Sequence, residues 1–140
     1  MSHLQYFNYP GFGERSRKDV HYSQAVRVDN RIEISGQGGW DPTTEAIPTT
    51  LSAELEQAFS NVALALTTAG GKGWEQVYKV RMYIVVNEGD SKEWGEALGL
   101  AAEALRRWCP DHAPILTGVG VKGLALEGMR VEIEAVAHLG

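Results

Sequence analysis

The C-terminal stretch Leu124–Ala137 closes in strict alternation. Arg130, Glu132 and Glu134 share one parity, and Val131, Ile133 and Ala135 share the other. A period of two predicts a pleated strand with one charged and one apolar face. Carboxylates are depleted in mid-strand, so two on one face call for an explanation. Helical spacing appears twice. Over Thr50–Ala69, residues Leu51, Leu55, Ala58, Phe59, Val62 and Leu66 recur at steps of three and four, which makes one apolar stripe. Thr49, Thr50 or Ser52 can cap its start, and Gly70-Gly71 supplies a stop. Over Ser91–Trp108 the stripe is Trp94, Ala97, Leu98, Ala101, Leu105 and Trp108, with Asp90 or Ser91 as cap and Pro110 just past the end.

Further strands are predicted at Tyr22–Val28, Arg31–Ser35, Val77–Val86, Ile115–Val121 and Met129–His138. Asp29-Asn30 tolerates positive φ and suits a hairpin turn between the first two. Gly36 to Pro48 reads as a long loop. The first 20 residues, rich in Gly, Pro, Tyr and Ser, read as irregular. The order is β-β-α-β-α-β-β, an α+β class with a mixed sheet, in a single domain over residues 1–140. Two helices cover only one face of such a sheet. The other face would carry Glu132, Glu134, Tyr22, Gln24, Arg81, Val26 and Val28, a mixture suited to an oligomer interface.

Charge and composition narrow the function. The net charge of −5 argues against a nucleic-acid backbone as the main partner, which needs clustered Lys and Arg. Arg15, Arg17 and Lys18 form only a short basic run, which reads as a solvated loop. The one cysteine, Cys109, excludes an internal disulfide. It lies between Trp108 and Pro110 and reads as a buried, inert thiol. The four histidines lack ligand spacing, so no metal site is expected. There is no secretory signal and no membrane-spanning apolar run, which makes a reducing, cytoplasmic location the expectation.

Four segments in order resemble the YjgF/RidA family, the reactive-intermediate deaminases, some of which are called L-PSP endoribonucleases. They are Tyr22-Ser23-Gln24-Ala25, Ile34-Ser35-Gly36-Gln37, Ala69-Gly70-Gly71 followed by Val77–Val86, and the C-terminal Val131-Glu132-Ile133-Glu134-Ala135. The resemblance implies a chorismate-mutase-like fold and a homotrimer with ligand clefts between neighbouring subunits. It implies hydrolysis of enamines and imines to a keto acid and ammonia, with no metal or organic cofactor. Glu132 matches the glutamate that handles the attacking water, and Tyr22 a tyrosine of the cleft wall. Ser35 and the Gly36–Trp40 loop match the region that closes over the cleft. Thr117 and Gly118 match the strand whose backbone N–H groups help bind substrate.

One position departs from that pattern. The classical deaminases carry an arginine two residues after a proline, and it grips the substrate carboxylate. Here the proline is Pro114 and the position is Leu116, which offers neither charge nor a bidentate fork. A lost charge-assisted hydrogen bond is worth roughly 1.5–3 kcal/mol. Gly118 stands where cysteine is usual. Together these imply a wider, greasier pocket, to which Trp40 and Trp94 can add aromatic surface, and a ligand larger and less anionic than a simple amino-acid imine.

Plainer roles exist for the same residues. Glu134 reads as structural, either a solvated carboxylate or a partner of Arg81 or Arg130, and Arg130 as an ion-pair partner of Glu132 ahead of a substitute for the missing anchor. Trp94 and Trp108 read as core. Three functions follow in descending order: an imine or enamine hydrolase, a non-catalytic small-molecule binder using the same clefts, and a nuclease, which the acidic balance disfavours.

Overall fold

The computed structural model describes residues 1–87 and 91–140. In chain order its elements are β1 (Gln5–Phe7), α1 (Phe12–Val20), β2 (Ala25–Val28), β3 (Arg31–Ile34), α2 (Leu51–Thr68), β4 (Val77–Val85), α3 (Ser91–Trp108), β5 (Ile115–Val121) and β6 (Val131–His138), with a short 3-10 turn at Gly73–Gln76. From β2 onward the order is the one the hydrophobic periods predict. Thr50 caps α2, its hydroxyl accepting the Ala53 N–H at 3.2 Å. Asp90, one of two residues expected to cap α3, lies outside the described residues. Asp29 turns the β2–β3 hairpin at φ 54°.

The expectation of an irregular N-terminus is corrected by β1 and α1. The helix buries Phe12 alongside the small residues Gly13 and Ser16, so its sequence carries no apolar stripe. Contacts outside the helix hold it instead. The Phe12 ring stacks on Trp40 with centroids 3.9 Å apart. Its N–H donates to the Pro42 carbonyl at 2.8 Å, and the Arg15 guanidinium forks onto Glu45. The receiving loop is itself folded by Asp41, whose carboxylate accepts the Thr43 and Thr44 N–H groups at 2.8 and 2.9 Å. Those bonds, Thr44 first, lower the Asp41 pKa below its ordinary value.

The six strands form one mixed sheet in the order β1-β2-β3-β6-β4-β5. Only the β4–β5 pair is parallel. On β6, Val131, Ile133, Ala135 and Ala137 are buried, as are Val80, Met82 and Ile84 of β4. The β6 residues meet the apolar stripe of α2, where Phe59 also stacks on Trp74, and the β4 residues belong to the same core. Cys109 is buried against the same core, and burial pushes its thiol pKa up. The opposite parity, including Arg81, Tyr83, Glu132, Glu134 and Val136, stays half-exposed. No helix among the described residues is long and apolar enough to cross a membrane.

The stripe of α2 also buries a charge. Glu54 is 0% exposed. Its carboxylate accepts the Arg130 Nε–H at 2.6 Å and the backbone N–H groups of Arg130 and Val131 at 2.7 and 3.2 Å. Arg130 also donates to the Pro48 carbonyl at 3.0 Å. The expected Arg130–Glu132 pair is therefore not formed. Arg130 precedes the first residue of β6, and its side chain reaches across to α2 because a buried carboxylate demands a partner.

Replacing Arg130 by Leu leaves that carboxylate without its cation. The expected loss is about 3 kcal/mol of unfolding free energy in urea titrations. Arg81→Leu, which breaks only a half-exposed pair with Glu134 at 3.9 Å, should cost below ~1 kcal/mol. Equal losses would contradict the buried-pair account.

Candidate functional site

The loop after β3 is fixed by one glutamine. Gln37 is 0% exposed. Its N–H donates to the Ile133 carbonyl at 2.8 Å, and its own carbonyl accepts the Ile133 N–H at 2.9 Å. Its side-chain amide donates to Gln24 Oε1 at 2.7 Å and to the Ser35 carbonyl at 3.0 Å. Its Oε1 accepts the Tyr9 hydroxyl at 2.7 Å, and Trp40 Nε1 donates to the same hydroxyl at 3.1 Å. From α2, the Asn61 amide donates to the Gly38 and Trp40 carbonyls, both at 2.8 Å. The Gln37–Trp40 segment is thus tied to β6, α2 and Tyr9, and it stands as a wall beside β6. Burial drives the Tyr9 phenol pKa well above its ordinary value, so it remains a neutral donor.

Two expectations change here. Trp40 is 2% exposed and stacked on Phe12, so it belongs to the core and offers no surface to a ligand. Gln24, expected on the open face, is buried in the Gln37 network, and its Nε2 has no hydrogen-bond partner among the described residues.

The wall sets Gly36 against Glu132. A Cβ at Gly36 would lie 2.5 Å from Glu132 Oε1, so any larger residue would displace the carboxylate. Glu132 and Glu134 lie on the same face of β6, in register with Tyr83 and Arg81 of β4. Their surroundings differ. Glu134 accepts the Tyr83 hydroxyl at 2.9 Å and faces the Arg81 guanidinium at 3.9 Å, as its plainer role predicts. Glu132 accepts no hydrogen bond from any described residue. Its burial, and then the charge of Glu134, raise its pKa above the ordinary glutamate value. A half-buried carboxylate with free lone pairs and a raised pKa is suited to exchanging a proton with a bound water.

Tyr22 and Ser35 meet in a cleft of about 530 Å³ over β2, β3 and the end of α1. The Ser35 hydroxyl donates to the Ser23 carbonyl at 2.6 Å, which fixes the rim. Tyr6, Arg17, His21 and Glu33 also line the cleft. In the sequence Arg17 reads as part of a solvated loop, and nothing there singles out Tyr6 or His21; the structure brings all three to the cleft. The only signal was the basic run itself, which becomes informative once α1 is known.

Leu116, Thr117 and Gly118 do not join this cleft. They lie on β5, at the far edge of the sheet from β2. Thr117 is in register with Arg81 and so shares the face of Glu132, while Leu116 is in register with Val80 on the helix side. Leu116 is nevertheless 44% exposed, because β5 is an edge strand. A Cβ on Gly118 would sit 3.6 Å from the Trp94 ring. The room left by its small size therefore faces α3 and does not widen the open face. Trp94 packs on the backbone of β5.

Within one chain the expected site residues thus fall into two groups on either side of Glu132. The same chain resembles proteins of known kind over nearly its whole length. A family model described as endoribonuclease L-PSP matches residues 14–139. The chain belongs to that family, YjgF/RidA. Among YjgF/RidA relatives, the 2-iminobutanoate/2-iminopropanoate deaminase of Rattus norvegicus is 31% identical over 120 residues, covering 85% of this chain and 80% of that one. A RutC family protein of Aquifex aeolicus is 36% identical over 116 residues, covering 83% and 86%. The crystal structure of RidA from an Antarctic Psychrobacter superposes with a TM-score of 0.71 at 31% identity, covering 84% and 87%. Yeast Mmf1, at 24% identity and a TM-score of 0.76 over 98% and 99%, shares the fold.

The raised pKa of Glu132 has a sign that can be tested. Above the folded-state pKa the ionised, desolvated carboxylate destabilises the fold. That cost is relieved as pH falls from the raised value towards the ordinary value of 4.5. Glu132→Gln should therefore raise Tm slightly at pH 7 and flatten this part of the stability profile. Thermal melts between about pH 4 and pH 8 measure both, and a lower Tm at pH 7 would contradict the burial cost.

Proposed function

We propose that this chain hydrolyses imines or enamines, with Glu132 as the proton-transfer group. The observation that carries the proposal is a half-buried Glu132 carboxylate with no hydrogen-bond partner among the described residues, pressed against Gly36, in a chain similar to proteins named as imine deaminases. Water adds to the C=N carbon while Glu132 takes its proton. The proton is then delivered to nitrogen, giving a carbinolamine; Glu132 next relays the hydroxyl proton to the same nitrogen as the C=O bond forms and the C–N bond breaks, so that a carbonyl compound and ammonia leave. A carboxylate with a raised pKa serves both halves of that exchange. Tyr22 and Ser35 line the substrate cleft, and the wall built on Gln37 holds Gly36 in place. Neither a metal nor an organic cofactor has a part in this chemistry.

The separation of the two groups of site residues favours a homotrimer in which the exposed edge of β5 from a neighbouring copy, with Thr117 on its open face, meets Glu132. Leu116 then sets an apolar surface where the classical deaminases hold a carboxylate, so the substrate is not the classical one at that end. The same departure favours a second reading, a non-catalytic binder of small molecules in these clefts. A nuclease is disfavoured by the net charge of −5. A cytoplasmic location accords with the single unpaired thiol.

The hydrolase reading is tested with imines made in situ from a panel of amino acids by an oxidase, with semicarbazide as competing trap. The protein should lower semicarbazone yield, and Glu132→Gln should slow imine loss by about 100-fold or more. No acceleration on any imine, with ligand still bound, would favour the binder. Leu116→Arg should raise activity on small carboxylate-bearing imines, and an unchanged profile in a folded variant would count against the placement of Leu116. Native mass measurement should give three chains; a monomer at micromolar concentration removes the shared site.

A further inference from the structure

The cleft beside Tyr22 contains a cation that the family resemblance does not account for. Arg17 lines it from the last turn of α1, together with His21 at the helix end. The neighbouring Arg15 is committed to Glu45 and Asp19. Arg17, by contrast, makes no ion pair with any described residue. The helix that carries it is tied down at its other end by the Phe12–Trp40 stack and the Arg15–Glu45 fork, so the backbone of Arg17 is positioned by the fold while its side chain stays exposed. His21 holds a left-handed backbone at φ 63°, a conformation that favours glycine, and its N–H donates to the Arg17 carbonyl at 3.2 Å. That turn brings Tyr22 directly onto the cleft wall.

We propose that Arg17 is the carboxylate anchor of this cleft, in place of the arginine that Leu116 lacks. The ligand is an organic monocarboxylate with a hydrocarbon body. Its acid group meets the guanidinium fork, and its body lies against Tyr6, Tyr22 and Val26, which line the same cleft. The carbonyls ending α1 oppose an anion, but that effect fades within a turn and is weaker than a direct guanidinium contact. Glu33, also on the cleft wall, repels the same carboxylate and limits the site to one acid group. The expectation of a less anionic ligand rested on Leu116 alone; Arg17 moves the charge to the other wall. The assignment of the ligand as an imine-derived acid rests on the hydrolase reading, while the anchor itself does not.

The experiment is calorimetric titration with 4-methyl-2-oxopentanoate, the keto acid from the leucine imine, and with its neutral amide. Arg17→Gln should weaken binding of the acid at least tenfold and leave the amide unchanged. Arg17→Lys should recover part of the loss, and Glu33→Gln should tighten the acid. Lys72→Gln, which removes the same charge from an exposed site outside the cleft, should alter neither by more than about twofold. His21→Gly should raise Tm by relieving the left-handed backbone, with circular dichroism confirming the fold of each variant. The proposal is overturned if the wild type does not bind the acid, if acid and amide weaken together, or if Lys72→Gln matches Arg17→Gln. The two readings fail separately. Acid binding indifferent to Arg17, with imine turnover still lost in Glu132→Gln, removes only the anchor. Arg17-dependent acid binding without any imine turnover removes only the hydrolase.

Discussion

Gln37 is the constraint on which the site depends. Its backbone is bridged to Ile133 on the central strand β6, and its amide joins Ser35, Gln24 and Tyr9. These partners come from four separate stretches of the chain. In a buried setting such a network is strong when complete and costly when broken. An apolar residue of the same size would fill the volume but leave the Tyr9 O–H proton without an acceptor and the Gln24 carbonyl oxygen without a donor. Because this residue holds the loop against β6, Gly36 stays in contact with Glu132, and the rim at Ser35 stays in contact with Ser23. The chemistry of the carboxylate is thus an outcome of hydrogen bonding one residue away.

Three acids of this chain show how surroundings assign roles to one functional group. Glu54 is fully buried and fully partnered, and it ties α2 to the start of β6. Glu134 is half-exposed and shared between a hydroxyl and a guanidinium. Glu132 is two residues from Glu134 and has neither kind of partner among the described residues. Its neighbour's negative charge adds to its desolvation, and the two effects act in the same direction. Alternation along one strand therefore places both carboxylates on the open face, and the partners on β4 distinguish them.

Elements with an intrinsic period were legible from the sequence. The stripes of α2 and α3 and the alternation of β4 and β6 each follow from residues a few positions apart. What escaped notice depends on distant partners. Helix α1 has no stripe, because Phe12 finds its neighbour at Trp40 and Arg15 at Glu45. The Glu54–Arg130 pair joins residues 76 positions apart, and no local pattern signals it. Trp40 looked available because it sits in a glycine-rich loop, yet Asn61 and Tyr9 draw that loop inward. Of the site residues, the parity of Glu132 was readable in its own strand. The direction of Gly118 was not, because it depends on the register of β5 against β4. The family came from ordered short matches, whereas the convergence of Arg17 with Tyr22 needed the folded backbone.

The two margins of the sheet are unlike each other. β1 is three residues long, and Tyr6 and Phe7 give way at once to the turn into α1. β5 runs for seven residues, carries glycine at 118 and 120, and exposes Ile115 to 64%. Its outer row of amide and carbonyl groups has no strand beyond it among the described residues. Such an unguarded rim is a template for strand addition. A partner covering β5 would therefore also keep the protein from growing into fibrous stacks, which would make colloidal stability and the integrity of that margin a single property.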